Sequence, residues 1–283
     1  MAEQLLLCAE NLLNNLQAQQ RFTIAASSEA TGYTVDRLAN GRRHLGDRFE
    51  PNNTNTDVTL TTRCDTLRAA DFVALDRAGN HRGYRYQLLG SNDNFTTSRT
   101  VFDVNTIPTV PGGRPSEAYG CVTDEGAWLK TFTADAFYDW RVTSKAMGAG
   151  LKPQVVGLWV GKAWQPTEYL LQLPLETRGY DLSYVTAVSP YGWRGKGQRA
   201  KPRSGTLRLG FPSFADVIMY ERHIEDLALR GYPFWLCWQK DTAPWRSILA
   251  ELPEGRTSLT VDTGWSAVYP TVEVSFIEVE PAA

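Results

Sequence analysis

From Phe22 to about Val160 the chain almost never holds a helical hydrophobic period; it offers short apolar or alternating runs instead. They are Phe22-Thr23-Ile24-Ala25, Val58-Thr59-Leu60, Phe72-Val73-Ala74-Leu75, residues 84–89, Thr100-Val101-Phe102, and residues 128–132, 138–142 and 155–160. Clusters such as Asp76-Arg77-Ala78-Gly79-Asn80 and Pro111-Gly112-Gly113 separate them. Alternation puts one side of a run in a core and the other in water, and Gly, Pro, Asn and Asp end strands. Seven or eight short strands joined by turns predict a β-sandwich or jelly roll.

After Gly161 the pattern changes. Residues 169–175 and 182–188 read as strands, with residues 206–209 as the partner of the second. A helix is predicted at about 214–230. Phe214, Val217, Ile218, Ile224, Leu227 and Ala228 form its apolar stripe, and Glu221, Arg222, Glu225 and Asp226 its polar side. Ser213 can cap the N-terminus with Asp216 three residues on, and Gly231 and Pro233 stop it. Strands resume at 234–238, 247–249, 258–261 and, in strict alternation, 271–279. The fold class read from this is mainly β, a sandwich followed by an α+β unit with one main helix.

Leu5, Cys8, Leu12 and Leu16 stand at helical spacing, so residues 1–20 are expected as a short helix or as an arm ordered by a neighbour. No Lys or Arg precedes Arg21, so this stretch does not read as a secretory signal. No run approaches 18 apolar residues, and no membrane partner is expected. The 29 basic and 31 acidic residues leave a net charge of −2, which argues against a nucleic-acid coat or a polybasic membrane binder. Cysteines 8, 64, 121 and 237 show no zinc spacing and read as reduced core residues.

The local signatures of catalysis are absent. There is no G-x-S-x-G, H-E-x-x-H or phosphate-binding glycine loop, and His44, His81 and His223 are the only histidines. Asp124-Glu125 and Asp135…Asp139 are the obvious carboxylate pairs and read as exposed turn acids. The polar stretch Glu50 to Asp57 lacks an ordered calcium loop. No enzyme activity, metal or cofactor is assigned. One charge feature stands apart: Arg194, Lys196, Arg199, Lys201, Arg203 and Arg208 follow Trp193 without an acid among them. With its glycines this reads as a mobile loop joining two strands, either a solvated tip or an assembly loop docking on an acidic surface.

Asp76, Arg77, Asn80, His81, Gly90, Ser91 and Asp93, with residues 156–166, resemble the discoidin- or galactose-binding-like jelly roll found in tail proteins of long-tailed bacteriophages. The later order of strand, hairpin, strand, helix and strands is similar to the ring-forming domain of tail-tube and distal tail proteins. The resemblance implies an arm at 1–20, a sandwich at 21–165 and a tail-tube-like domain at 166–283. It also implies a structural component of a tail tip or baseplate in the virion. Its partners would be itself, as a hexameric or trimeric ring, and the tube, hub and fibre proteins. The alternative is a module recognising host surface glycan through Asn92, Asn94, Phe95, Arg114 and Tyr119. For Asp76 and His81 the resemblance implies loop-holding hydrogen bonds ahead of sugar contact. The ring reading makes the strand at 271–279 an edge for a second subunit.

All nine tryptophans lie at or after Trp128. Trp is enriched in interface cores, so Trp235, Trp238, Trp245 and Trp265 are expected between subunits.

Overall fold

The computed structural model describes residues 6–8, 10–12, 22–39, 47–52, 56–76, 86–103, 128–146, 152–165, 170–171, 183–188, 194–199, 204–211, 213–220, 222, 233–237, 247–252, 260–262 and 271–279. The chain forms two compact units. The first holds Met1–Gln165, Phe234–Leu249 and Pro281–Ala283, and the second Pro166–Pro233 and Ala250–Glu280. The fold is mainly β with antiparallel sheets.

The first unit opens with β1 (Leu6–Cys8), then β2 (Phe22–Ala26), a 3-10 helix at Val35–Ala39, and β3 (Val58–Leu75). β4 (Tyr86–Ser91), β5 (Arg99–Asp103), β6 (Trp128–Ser144) and β7 (Leu158–Gly161) complete its main sheet, in the order β2-β3-β6-β4-β5 with β7 also on β3. Two pairs of predicted short strands are therefore single long ones. Residues 58–60 and 72–75 are the ends of β3, and residues 128–132 and 138–142 belong to β6. The polar interruption at Asp65-Thr66 is an irregularity within a strand, not a break between two. Arg63 pairs with Asp139 and Arg68 with Phe137, so residues 64–67 face Tyr138 alone.

One face of this sheet builds the core with Leu60, Val73, Leu75, Leu88, Trp140 and Val142. Leu12, Val35, Leu38, Phe49, Val155 and Leu158 close it from loops and short segments. Phe137 packs edge-on against Trp140 at 5.2 Å, and Gly90 lies directly beneath the Phe137 ring.

Where the N-terminal segment is described, at residues 6–8 and 10–12, it is a strap rather than a helix; Leu5 and Leu16 lie outside the described residues. β1 pairs antiparallel with β12 (Phe234–Cys237), and Leu7 exchanges both backbone hydrogen bonds with Trp164. Buried Asn11 donates from Nδ2 to the Leu158 carbonyl, and its Oδ1 accepts from the Val160 amide. Leu12 N–H donates to the Val160 carbonyl. Leu6, Leu7, Cys8 and Leu12 are all buried, so sheet pairing and burial override the helical spacing. Cys8, Cys64 and Cys237 are free thiols, and burial pushes the Cys8 thiol up and that of Cys64 to about 11.

The second unit contains β8 (Leu170–Leu171), β9 (Ser183–Val188), β10 (Arg194–Arg199) and β11 (Ser204–Gly210). Residues 214–220 and Arg222 are helical. β13 (Ile248–Glu251) begins in the first unit and ends in the second, which also holds β14 (Thr260–Asp262) and β15 (Thr271–Glu278). β11 pairs with β8 and β15, and β9 pairs with β10 rather than with residues 206–209 as expected. β15 is an internal strand, taking β11 on one side and β13 and β14 on the other. The expected free edge is thus used within the chain.

Ser213 caps the helix as its sequence predicts. Its hydroxyl donates to Asp216 Oδ2 at 2.6 Å, and the Asp216 amide donates back to Ser213 Oγ. The apolar stripe divides. Val217 and Tyr220 are buried, with Tyr220 on Phe211 at 5.2 Å, whereas Phe214, Ile218 and Met219 are 58%, 49% and 55% exposed. Residues 224, 227 and 228 lie outside the described set. No described helix is long and apolar enough to cross a membrane.

Candidate functional site

The loop between β4 and β5 is held by a dense set of its own hydrogen bonds. Asn94 and Phe95 both take left-handed backbone, with φ of 56° and 63°. Asn adopts this region readily, and for Phe it costs on the order of 1–3 kcal/mol. Acceptors on either side offset that cost. Ser91 Oγ accepts from the amides of Asp93 and Phe95 while donating to Asp93 Oδ1 at 2.8 Å. Asp93 also accepts from the Thr97 amide and hydroxyl. These bonds hold the Asp93 carboxyl below its ordinary value, the Thr97 hydroxyl contributing most. Asp139, buried on β6, accepts the Asn94 amide at 3.0 Å and is ion-paired to Arg63.

Ser91 and Asp93 therefore hold the loop. Asn92 and Asn94 are exposed on it, and Asn92 Oδ1 accepts the Tyr138 amide at 3.2 Å. Phe95, a candidate glycan-facing residue, is half-buried, and the Arg141 guanidinium stands over one face of its ring at 3.7 Å from the centroid. Arg141 Nε also donates to Thr61. Arg114 and Tyr119 lie outside the described residues.

Two residues that sequence reasoning passed over stand beside this loop. Tyr138 is 37% exposed, and Leu67, in the irregularity facing it, is 52% exposed. Nothing in the local sequence marks either one: Tyr138 reads as one more strand residue, and Leu67 carries no signal of its own. Only the register brings them to one place.

The carboxylates nearby are structural. Asp139 is inaccessible, and Asp135 pairs with Arg99, so neither is the exposed turn acid expected. Asp124 and Glu125 lie outside the described residues, as do Arg77, Asn80, His81, His44 and His223. Asp76 is buried, its amide bonded to the Gly157 carbonyl. Glu50 accepts from Arg48 and Gln154, and Asp57 from Lys145. Among the described residues no three His, Cys, Asp or Glu gather as a metal site.

The basic run is half strand. Arg194, Lys196 and Arg199 belong to β10, opposite Val188, Thr186 and Ser183 of β9, because backbone pairing orders what composition marked as a mobile loop. Arg208 lies in β11, opposite Glu273. Trp193, Lys201 and Arg203 lie outside the described residues. Trp235 is completely buried within the first unit, edge-on to Trp159 at 6.4 Å, so it serves the chain's own core and not a subunit interface. Trp238, Trp245 and Trp265 are not among the described residues.

No family model matches the chain, and no curated protein matches it. Solved structures do, and they include carbohydrate-binding modules. One is chitosan-binding module 1 of a chitosanase/glucanase from Paenibacillus sp. IK-5. It is 20% identical at a TM-score of 0.39, over 53% of this chain and 98% of that one. Another is the family 32 module of C. perfringens NanJ, solved with galactose, 12% identical at 0.35 over 49% and 92%. A Ruminococcus gnavus GH29 fucosidase gives 13% at 0.40, and the chain spans only 27% of its length.

Proposed function

We propose that the first unit binds glycan and performs no catalysis. The observation that carries this reading is an exposed aromatic ring, Tyr138, beside exposed amides on a loop whose backbone is fixed by Ser91, Asp93 and Asp139. Sugars present apolar C–H faces to aromatic rings and hydroxyls to amides, and a preset surface loses little entropy on binding. Asn92, Asn94 and Tyr138 are the residues in this reading. On an array of surface glycans the full chain is expected to bind at least one class. Tyr138→Ala is expected to weaken that binding by about tenfold, the loss of roughly 1.4 kcal/mol. An array without a hit, with the protein folded, rejects the reading.

A second reading rests on a different surface. Phe214, Ile218 and Met219 expose a stripe on one helix of the second unit, which suits burial against another copy of this chain. The chain would then be a ring-forming component of a phage tail tip or baseplate, joining the tail tube to hub or fibre proteins in the virion. Sedimentation at micromolar concentration is expected to show an oligomer that Ile218→Glu dissociates without unfolding. A wild-type monomer rejects self-assembly.

A further inference from the structure

We infer that the exposed stripe on the helix of the second unit is one half of a two-fold, antiparallel helix contact between copies of this chain, a statement that rests on the self-assembly reading and fixes its geometry. Five large hydrophobic side chains stand exposed among the described residues, and three of them, Phe214, Ile218 and Met219, share this helix. Single exposed apolar residues are ordinary, but three within two turns make a patch. The patch cannot turn inward, because Val217 and Tyr220 are buried on the opposite side and Tyr220 rests on Phe211. Ala215 and Arg222 are exposed as well, and three and four residues from Ile218 they fall on its side of the helix.

The order of residues along the stripe selects the direction of pairing. Phe214 and Ala215 begin it, Ile218 and Met219 hold its middle, and Arg222 ends it. A parallel two-fold partner would set Arg222 against Arg222 of the second copy, two like charges beside an apolar strip. An antiparallel partner crossing at Ile218 sets each Arg222 beside Phe214 and Ala215 of the second copy. The guanidinium then lies on an aromatic ring, the small alanine leaves it room, and Asp216 supplies a carboxylate in the same first turn. Symmetry makes this contact twice. A two-fold contact uses one patch on both copies and closes at two, so it cannot by itself build a trimeric ring. Any larger ring has to join such pairs through a different surface. Two helical turns cover much less than the roughly 1,000 Å² of a lasting interface, so the pair is expected to exchange.

The test uses the full chain. Sedimentation is expected to show a monomer–dimer equilibrium that Arg222→Ala weakens about tenfold, since the two-fold counts each lost contact twice. Direction is read by disulfide trapping in air, with tryptic mass spectrometry to identify the joined positions. Ala215→Cys mixed with Arg222→Cys is expected to give a product joining positions 215 and 222, Ile218→Cys to join to itself, and Arg222→Cys alone to give no dimer through position 222. A dimer joined at 222 and 222, or a sedimenting dimer without the 215–222 product, overturns the inference and leaves self-assembly standing. So does a trimer that Ile218→Glu dissolves, or an Arg222→Ala dimer as tight as the parent. A wild-type monomer, whether or not it floats with phosphatidylglycerol vesicles, overturns the self-assembly reading as well.

Discussion

Gly161→Ala is expected to detach the N-terminal strap and destabilise the first unit by at least about 3 kcal/mol. A Cβ at Gly161 would sit well inside contact distance of the Glu10 carbonyl oxygen and carbon. That neighbour is backbone, so no flexible side chain can swing away. The strap has little freedom to shift as a body, because Leu7 is bonded to Trp164 on one side of the clash and Leu12 to Val160 on the other. Relief therefore requires those bonds to open. With them goes the burial of Leu6, Leu7 and Leu12, each worth about 1.5–3 kcal/mol when complete. Thermal unfolding should show the loss, and hydrogen exchange should place it at the amides of Leu7, Leu12 and Trp164. A variant that melts within a degree or two of the parent, with those amides still protected, contradicts this account of the strap.

The second large effect is expected at Gly90. An alanine methyl there would overlap the Phe137 ring near its attachment as well as at its edge, and that ring is held against Trp140. Overpacking of this kind costs about 1–3 kcal/mol. Gly90 also immediately precedes Ser91, so the same displacement reaches the loop that carries Asn92 and Asn94. Stability and glycan binding should fall together. Phe137→Ala alone empties space and is expected to cost about 3–5 kcal/mol. The double variant Gly90→Ala/Phe137→Ala should cost less than the sum, because the methyl then has room. Strict additivity in chemical denaturation would show that the two residues do not meet in this way.

Strands and the helix cap were legible in the sequence because they are local. Alternation at 271–278 and the Ser213–Asp216 pair depend on neighbours a few residues apart. What escaped was non-local. Leu5, Cys8, Leu12 and Leu16 have helical spacing, but Leu6–Cys8 becomes a strand because Phe234–Cys237 lies alongside it. The joining of residues 58–60 to 72–75 depends on β6 continuing past the Asp65-Thr66 interruption. At the candidate site, the loop-holding role was expected of Asp76 and His81, of which His81 lies outside the described residues; that Ser91 and Asp93 hold the β4–β5 loop was not read from the sequence. The exposure of Tyr138, the stacking of Arg141 on Phe95 and the burial of Asp139 follow from strand register, which the sequence does not display.

The strap's pairing has a consequence for how the protein is made. β1 leaves the ribosome well before its partner β12, which emerges roughly 230 residues later, on the order of 10–50 s at ordinary elongation rates. During that interval the apolar residues Leu6, Leu7 and Cys8 have no β12 to lie against. Nascent chains halted after residue 165 should be captured by chaperones through this segment, and release should coincide with the synthesis of Cys237.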